Sequence, residues 1–140
     1  TFKEEKIYDI ISVSRPSIQK VNKKFEKKIE RNFGEIIRKE CKSWKEYYKF
    51  LSNAKVVLFT GKEDTFGYGI LEAVMNNSIP VAPNKYAYPE LLEREFLYNN
   101  LDEAIAAIWN GIHFPEQVPE IQCSDLVDNF YKNVVNIMKE

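Results

Sequence analysis

Short apolar runs alternate along this chain with segments whose apolar residues recur every three or four positions, and that alternation constrains the fold more than any other feature. Lys55 to Thr60 (KVVLFT) is the clearest run, continuously apolar through its middle as a strand covered on both faces must be. Ile7 to Ser14 (IYDIISVS) is rich in β-branched residues and ends at Arg15-Pro16, while Pro80 to Pro83 and Phe96 to Tyr98 supply two further short strands. Between them the period lengthens. Ser17 to Arg31 sets Ile18, Val21, Phe25 and Ile29 on one helical stripe and its lysines on the other. Gly34 marks the exit, and Glu35 to Glu40 (EIIRKE) reads as a second, shorter strand. Ser43 caps the next helix, Glu46 completes a capping box, and Trp44, Tyr47, Tyr48 and Leu51 form its expected buried face. Phe66 to Met75 reads as a helix closed by Asn76-Asn77, since Asn tolerates the left-handed conformation of a helix end. Tyr88 to Leu92 is a turn into a short helix, and Leu101 to Trp109 and Leu126 to Met138 complete the set.

Strands separated by helices predict an α/β fold, a Rossmann-like parallel sheet flanked by helices and joined by right-handed crossovers. The 140 residues fit a single domain spanning 1–140, and a 44% hydrophobic, 14% aromatic composition fills a core and argues against intrinsic disorder. Ligands of such sheets lie beyond the carboxyl ends of the strands. That singles out the loops after Ser14 and after Thr60.

The formal net charge of -1 does not advertise a phosphate-backbone partner. Lys20, Lys23, Lys24, Lys27 and Lys28 are interleaved with Glu26 and Glu30 at helical spacing and read as a solvated helix face. Cys41 and Cys123 are far apart, with no CxxC and no nearby His, which points to reduced, partly buried thiols of a cytoplasmic protein rather than to a metal or redox site. No apolar run reaches the roughly 18 residues of a membrane span, and the N-terminus lacks the apolar stretch of a signal peptide. Thr1 is not an initiator methionine, which fits a piece of a longer protein.

The loop after Thr60 runs Gly61-Lys62-Glu63-Asp64-Thr65-Phe66-Gly67-Tyr68-Gly69-Ile70-Leu71-Glu72-Ala73. Its glycines let backbone approach a ligand, and the following helix offers an N-terminus suited to a phosphate. Asp64 and Glu72 stand eight residues apart, at opposite ends of what an elongated polyol-phosphate would occupy, and carboxylates accept from hydroxyls. Taken alone, Asp64 also reads as a helix cap and Glu72 as a helix-surface acid.

The ordered series Asp64-Thr65-Phe66-Gly67, Leu71-Glu72-Ala73, Pro80-Val81 and Pro89-Glu90-Leu91 resembles the E-x7-E region of family 4 GT-B glycosyltransferases. There the common form is E-x-F-G-x-x-x-L-E-A, then P-V and a P-E-L turn. The resemblance extends from Ser43 to about Leu101, and the longer step from Glu72 to Pro80, with Pro83 and Tyr88-Pro89-Glu90, is most similar to the branch that holds the tRNA-queuosine mannosyltransferases.

This resemblance implies the C-terminal, donor-binding domain of a retaining enzyme. Glu72 would take the ribose hydroxyls, Asp64 hydroxyls of the donor sugar, and Thr65, Phe66 and Gly67 would line the sugar and phosphate, with backbone N–H groups from Phe66 and Gly67. Arg15 and Lys20 stand at the spacing of the family's diphosphate-binding pair, and with Asp64 they are the catalytic candidates. Neutralising the leaving diphosphate in this way calls for no metal and no cofactor, the nucleotide-diphosphate sugar being substrate. The family's acceptor site lies on an N-terminal domain, so the resemblance implies such a domain, or a separate subunit, as partner. A nucleic-acid acceptor is conceivable from the nearest branch alone.

Two departures stand out. Asp64 is one methylene shorter than the family's Glu, a loss of about 1.5 Å in reach, which suggests a different sugar or a contribution from Glu63. The stretch from Lys20 to Ser43 is too short for the usual additional strand-helix unit. Both features also suit a degenerate GT-B domain that binds a partner without catalysis. A response-regulator-like domain fits the alternation but leaves the motif unexplained. His113, in Gly111 to Pro115, a stretch read as a loop, is expected to be a surface or packed histidine, and Trp44, Trp109 and the tyrosines at helical spacing are expected to be core, while Tyr86 and Tyr88 lie in the loop after Pro83, near where a base would stack.

Overall fold

Val56, Val57 and Leu58 are completely buried because Ala54–Leu58 (β2) runs through the interior of a sheet with helices on both faces. The computed structural model describes residues 6–13, 16–60, 68–86, 88–119 and 132, with backbone only for 16–22 and 68. β1 (Tyr8–Ser12) pairs parallel to β2, Ile10 opposite Val56, and β2 pairs parallel to β3 (Ile79–Pro83), Val57 opposite Pro80. β4 (Leu97–Tyr98) adds a short parallel strand beyond β3, giving the order β1-β2-β3-β4.

Alternation along these strands divides the core in two. Ile10, Val56, Leu58, Val81 and Tyr98 face Ile29 of α1 (Pro16–Phe33) and Ala104, Ala107 and Ile108 of α5 (Leu101–His113). Ile11, Val57, Phe59 and Ala82 face α2 (Trp44–Ser52), α3 (Tyr68–Met75) and α4 (Tyr88–Leu91) through Phe50, Leu51, Ile70, Ala73, Tyr88 and Leu91. The expected α/β architecture, a parallel sheet flanked by helices, is therefore present among the described residues.

Helix ends follow local chemistry. Pro16 opens α1, where its missing N–H has no intrahelical partner to lose. Ser43 caps α2 by accepting from the Glu46 amide at 3.1 Å, but Glu46 returns its carboxylate to the Lys42 amide at 3.0 Å, one residue upstream of the expected partner. Those bonds, the Lys42 amide first and Lys39 after it, hold the Glu46 carboxyl below its ordinary pKa. Asn77 closes the end of α3 with φ of 60°, as its position after the helix predicts.

Several expectations are corrected. The second strand expected over Glu35 to Glu40 contracts to one parallel bridge, in which the Ile37 amide donates to Ile10 and its carbonyl accepts from Ser12, each at 3.0 Å. Gly34 makes the turn into it at φ of 97°. Its neighbours are diverted: the Ile36 amide donates to the Glu30 carboxylate at 3.0 Å, and Arg38 pairs with Glu26. Glu26 is accordingly buried rather than part of a solvated face, although Lys23, Lys24, Lys27 and Lys28 are exposed as expected. Gly111 to His113 belong to α5 instead of a loop; the His113 ring stacks on Trp109 at 4.0 Å, its Nδ1 2.9 Å from the Trp109 carbonyl oxygen. Trp44 and Trp109 are half-exposed rather than core. The helix expected over Leu126 to Met138, apart from helical Lys132, lies outside the described residues, as does Cys123; Cys41 is a free, half-buried thiol.

Candidate functional site

The chain leaves β1 through α1 to reach Ile37 on the outer side of β1, then returns through α2 to β2 on the inner side. The connections after β1 and β2 thus depart over opposite faces of the sheet, α1 on one and α3 on the other. Such a reversal opens a crevice between the carboxyl ends of the two strands, where open α/β sheets bind ligands. The two loops singled out by the sequence follow the described ends of these two strands, at Val13 and Thr60.

Of the predicted site residues, Glu72 is the one whose side chain is described. It is the fifth residue of α3 and only 8% exposed, one turn below the end of the helix that meets the crevice. Lys20 is the fifth residue of α1, so its backbone lies a turn from the same rim on the other face; its side chain is outside the described residues. Arg15, Asp64, Thr65, Phe66 and Gly67, together with Glu63, also lie outside them. The structure therefore brings the start of α1, the exit of β2 and Glu72 to one end of the sheet.

The exit of β2 is held by a residue that sequence reasoning passed over. The Tyr98 hydroxyl donates to the Phe59 carbonyl at 2.7 Å, and its ring stacks on Phe25 at 5.3 Å. Both groups are buried, so this bond fixes the backbone one residue before Thr60 and the loop beyond. A tyrosine ending an otherwise apolar strand was the available signal, since a buried phenol needs a polar partner.

Two further contacts set the helices around Glu72. Lys6, half-buried, donates through Nζ to the Ser52 carbonyl at 2.9 Å and to the Asn76 carbonyl at 3.4 Å, tying together the far ends of α2 and α3. Its burial lowers its pKa below the usual lysine range. Beside Glu72, the Tyr48 phenol of α2 is pushed up to about 12, first by burial and then by the Glu72 charge. Tyr88 is fully buried against Phe59, which removes it as a stacking surface, whereas Tyr86 is exposed.

A cavity of about 40 Å³ beside Ile79, Phe96, Gly111 and Phe114 opens at the amino end of β3, away from the crevice. Among the described residues no group of three His, Cys, Asp or Glu side chains is arranged to hold a metal ion, and no helix is long and apolar enough to cross a membrane.

No family model matches the chain. It is similar to tRNA-queuosine alpha-mannosyltransferase of Drosophila melanogaster, 30% identical over 126 residues that cover 86% of this chain and 32% of that protein. The chain thus spans about a third of the length of that protein. No solved structure matches it. The similarity supports a relationship to glycosyltransferases.

Proposed function

We propose that this chain is the donor-binding unit of a retaining glycosyltransferase of the GT-B, family 4 kind, and that it holds a nucleotide-diphosphate sugar in the crevice between β1 and β2. The observation that carries this reading is the convergence at one strand-order reversal of Glu72, the start of α1 and the exit of β2, the described residues that flank the two motif-bearing loops. The glycosyltransferase similarity supports it from a separate direction.

In this reading the ribose hydroxyls donate to the Glu72 carboxylate, a charge-assisted bond strengthened by burial. Asp64 accepts from hydroxyls of the sugar, and the backbone amides of Phe66 and Gly67 face sugar and phosphate. Arg15 and Lys20 neutralise the diphosphate, which gains charge as the glycosidic bond breaks, so their attraction grows toward the transition state. Acceptor recognition, including any nucleic acid of the kind in the relative's name, falls to a region corresponding to the part of that protein outside the match, on an N-terminal domain or a partner subunit. The donor-binding unit tested by itself binds donor weakly and transfers little.

A second reading, a degenerate domain that binds a partner without catalysis, draws on the sheet edge, where one bridge at Ile37 stands in place of a strand. Charge reversal separates the two. Arg15→Glu with Lys20→Glu abolishes the thermal stabilisation produced by uridine, guanosine or adenosine diphosphate if the chain is a donor-binding unit. A folded wild-type chain that none of these nucleotides or their sugar conjugates stabilises would overturn the donor reading.

A further inference from the structure

α2 runs back from the carboxyl edge of the sheet to the start of β2, so its first residues stand at the same rim as the crevice. Three aromatic rings gather there. Trp44 meets Tyr47 edge-on at 6.2 Å and Tyr48 at 5.9 Å, and Tyr47 and Tyr48 lie 5.9 Å apart. The tyrosines pack down onto the core that α3 shares, but the indole is 50% exposed. Its position is fixed all the same, because Ser43 caps the helix at Trp44 and Glu46 ties the preceding turn to Lys42 and Lys39.

The relation of these rings to Glu72 follows from helix geometry. α2 and α3 both run against the strands, pack on the same face and are clamped at their far ends by Lys6. Tyr48 and Glu72 are each the fifth residue of their helix, which puts them at one level, and the Glu72 charge reaches the Tyr48 phenol. Trp44 lies one turn above Tyr48, about 6 Å nearer the mouth. A ribose bound by Glu72 carries its base on the adjoining carbon, within reach of that turn.

We propose that the aromatic cluster at the head of α2, with Trp44 as its exposed face, is the stacking surface for the nucleobase of the donor. This rests on the donor reading of Glu72 and adds the base to it. Stacking tolerates any base, because each presents a π-face, so this surface contributes affinity more than discrimination among nucleotides. Tyr48 acts as the positioning residue, supporting the indole from below while it borders the carboxylate.

The test uses the chain with Trp109→Phe, which leaves Trp44 as its single indole. Saturable quenching of Trp44 fluorescence by a nucleoside diphosphate, and none by ribose 5-phosphate, is the expected result. By calorimetry, Trp44→Ala weakens the nucleoside diphosphate about 5- to 100-fold and Trp44→Phe restores most of the loss. Glu72→Ala weakens binding whether or not Trp44 is present. Nucleotide binding that depends on Glu72 while Trp44 emission and Trp44→Ala affinity stay unchanged overturns the stacking surface and leaves the donor reading standing. Absence of nucleotide binding to the folded chain overturns both.

Discussion

Replacing Gly111 by alanine sets two effects of opposite sign against each other. Gly111 lies inside α5, where alanine's helix propensity alone would stabilise the fold by about 1 kcal/mol. A Cβ at this position, however, would stand 2.5 Å from Val56 Cγ2 and 3.4 Å from Ile79 Cγ2. The first distance is about 1 Å short of ordinary carbon contact. Val56 is completely buried in β2, and its branched side chain has little freedom at χ1, so the strain must separate α5 from the sheet. Overpacking of this severity costs about 3 kcal/mol, the upper part of its usual range, and outweighs the propensity gain. A net loss of about 2 kcal/mol follows, a fall in Tm of about 5–10 °C. Urea denaturation and a thermal melt measure it. Asn110→Ala, exposed on the same helix, is the companion and should gain about 0.5 kcal/mol. A Gly111→Ala chain as stable as wild type, or more so, refutes the seating of α5 on Val56 and with it the placement of β2.

Tyr98→Phe keeps the ring on Phe25 but leaves the buried Phe59 carbonyl without its donor, so stability should fall by about 1–3 kcal/mol in denaturant titrations. Gly34→Ala meets nothing within 4 Å yet forces a side chain into φ of 97°, and should cost about 1–2 kcal/mol by the same measurement. The Tyr48 phenol keeps its proton to a higher pH in the folded chain than in the unfolded one. Between pH 10 and about 12 the folded state therefore holds more protons, and stability falls as pH rises. Thermal melts across that range should show a steeper loss for wild type than for Tyr48→Phe, and parallel curves would contradict the burial of the Tyr48 phenol between α2 and the core.

The sequence was most legible where local pattern and tertiary context agree. KVVLFT is apolar on both faces and is a central strand; Ser43 caps a helix, and Asn77 closes another. Residues that depend on distant partners were harder to place. Glu26 looked solvated among lysines because its partner Arg38 reaches it only after the turn at Gly34. Trp44 sat on an apolar stripe, but the stripe does not reveal that the first turn of α2 stands at the rim of the sheet. Gly111 read as a loop residue because glycine and a nearby proline signal turns, when close approach to Val56 is what requires it. For the candidate site, spacing singled out Glu72 and both loops for attention, whereas the contacts of Tyr98, Lys6 and Tyr48 come from elements remote in sequence.

The central claim is that Glu72 binds the ribose of a nucleotide, and a calorimetric comparison of a ribonucleoside diphosphate with its 2′-deoxy counterpart tests it most directly. Hydrogen bonds to a charged group contribute about 1.5–3 kcal/mol, so wild type should prefer the ribonucleotide by about tenfold or more. In Glu72→Ala that preference should vanish, with the ribonucleotide weakened to the level of the deoxy form. An unchanged preference in folded Glu72→Ala, or a folded wild type that binds neither ligand, would contradict the account.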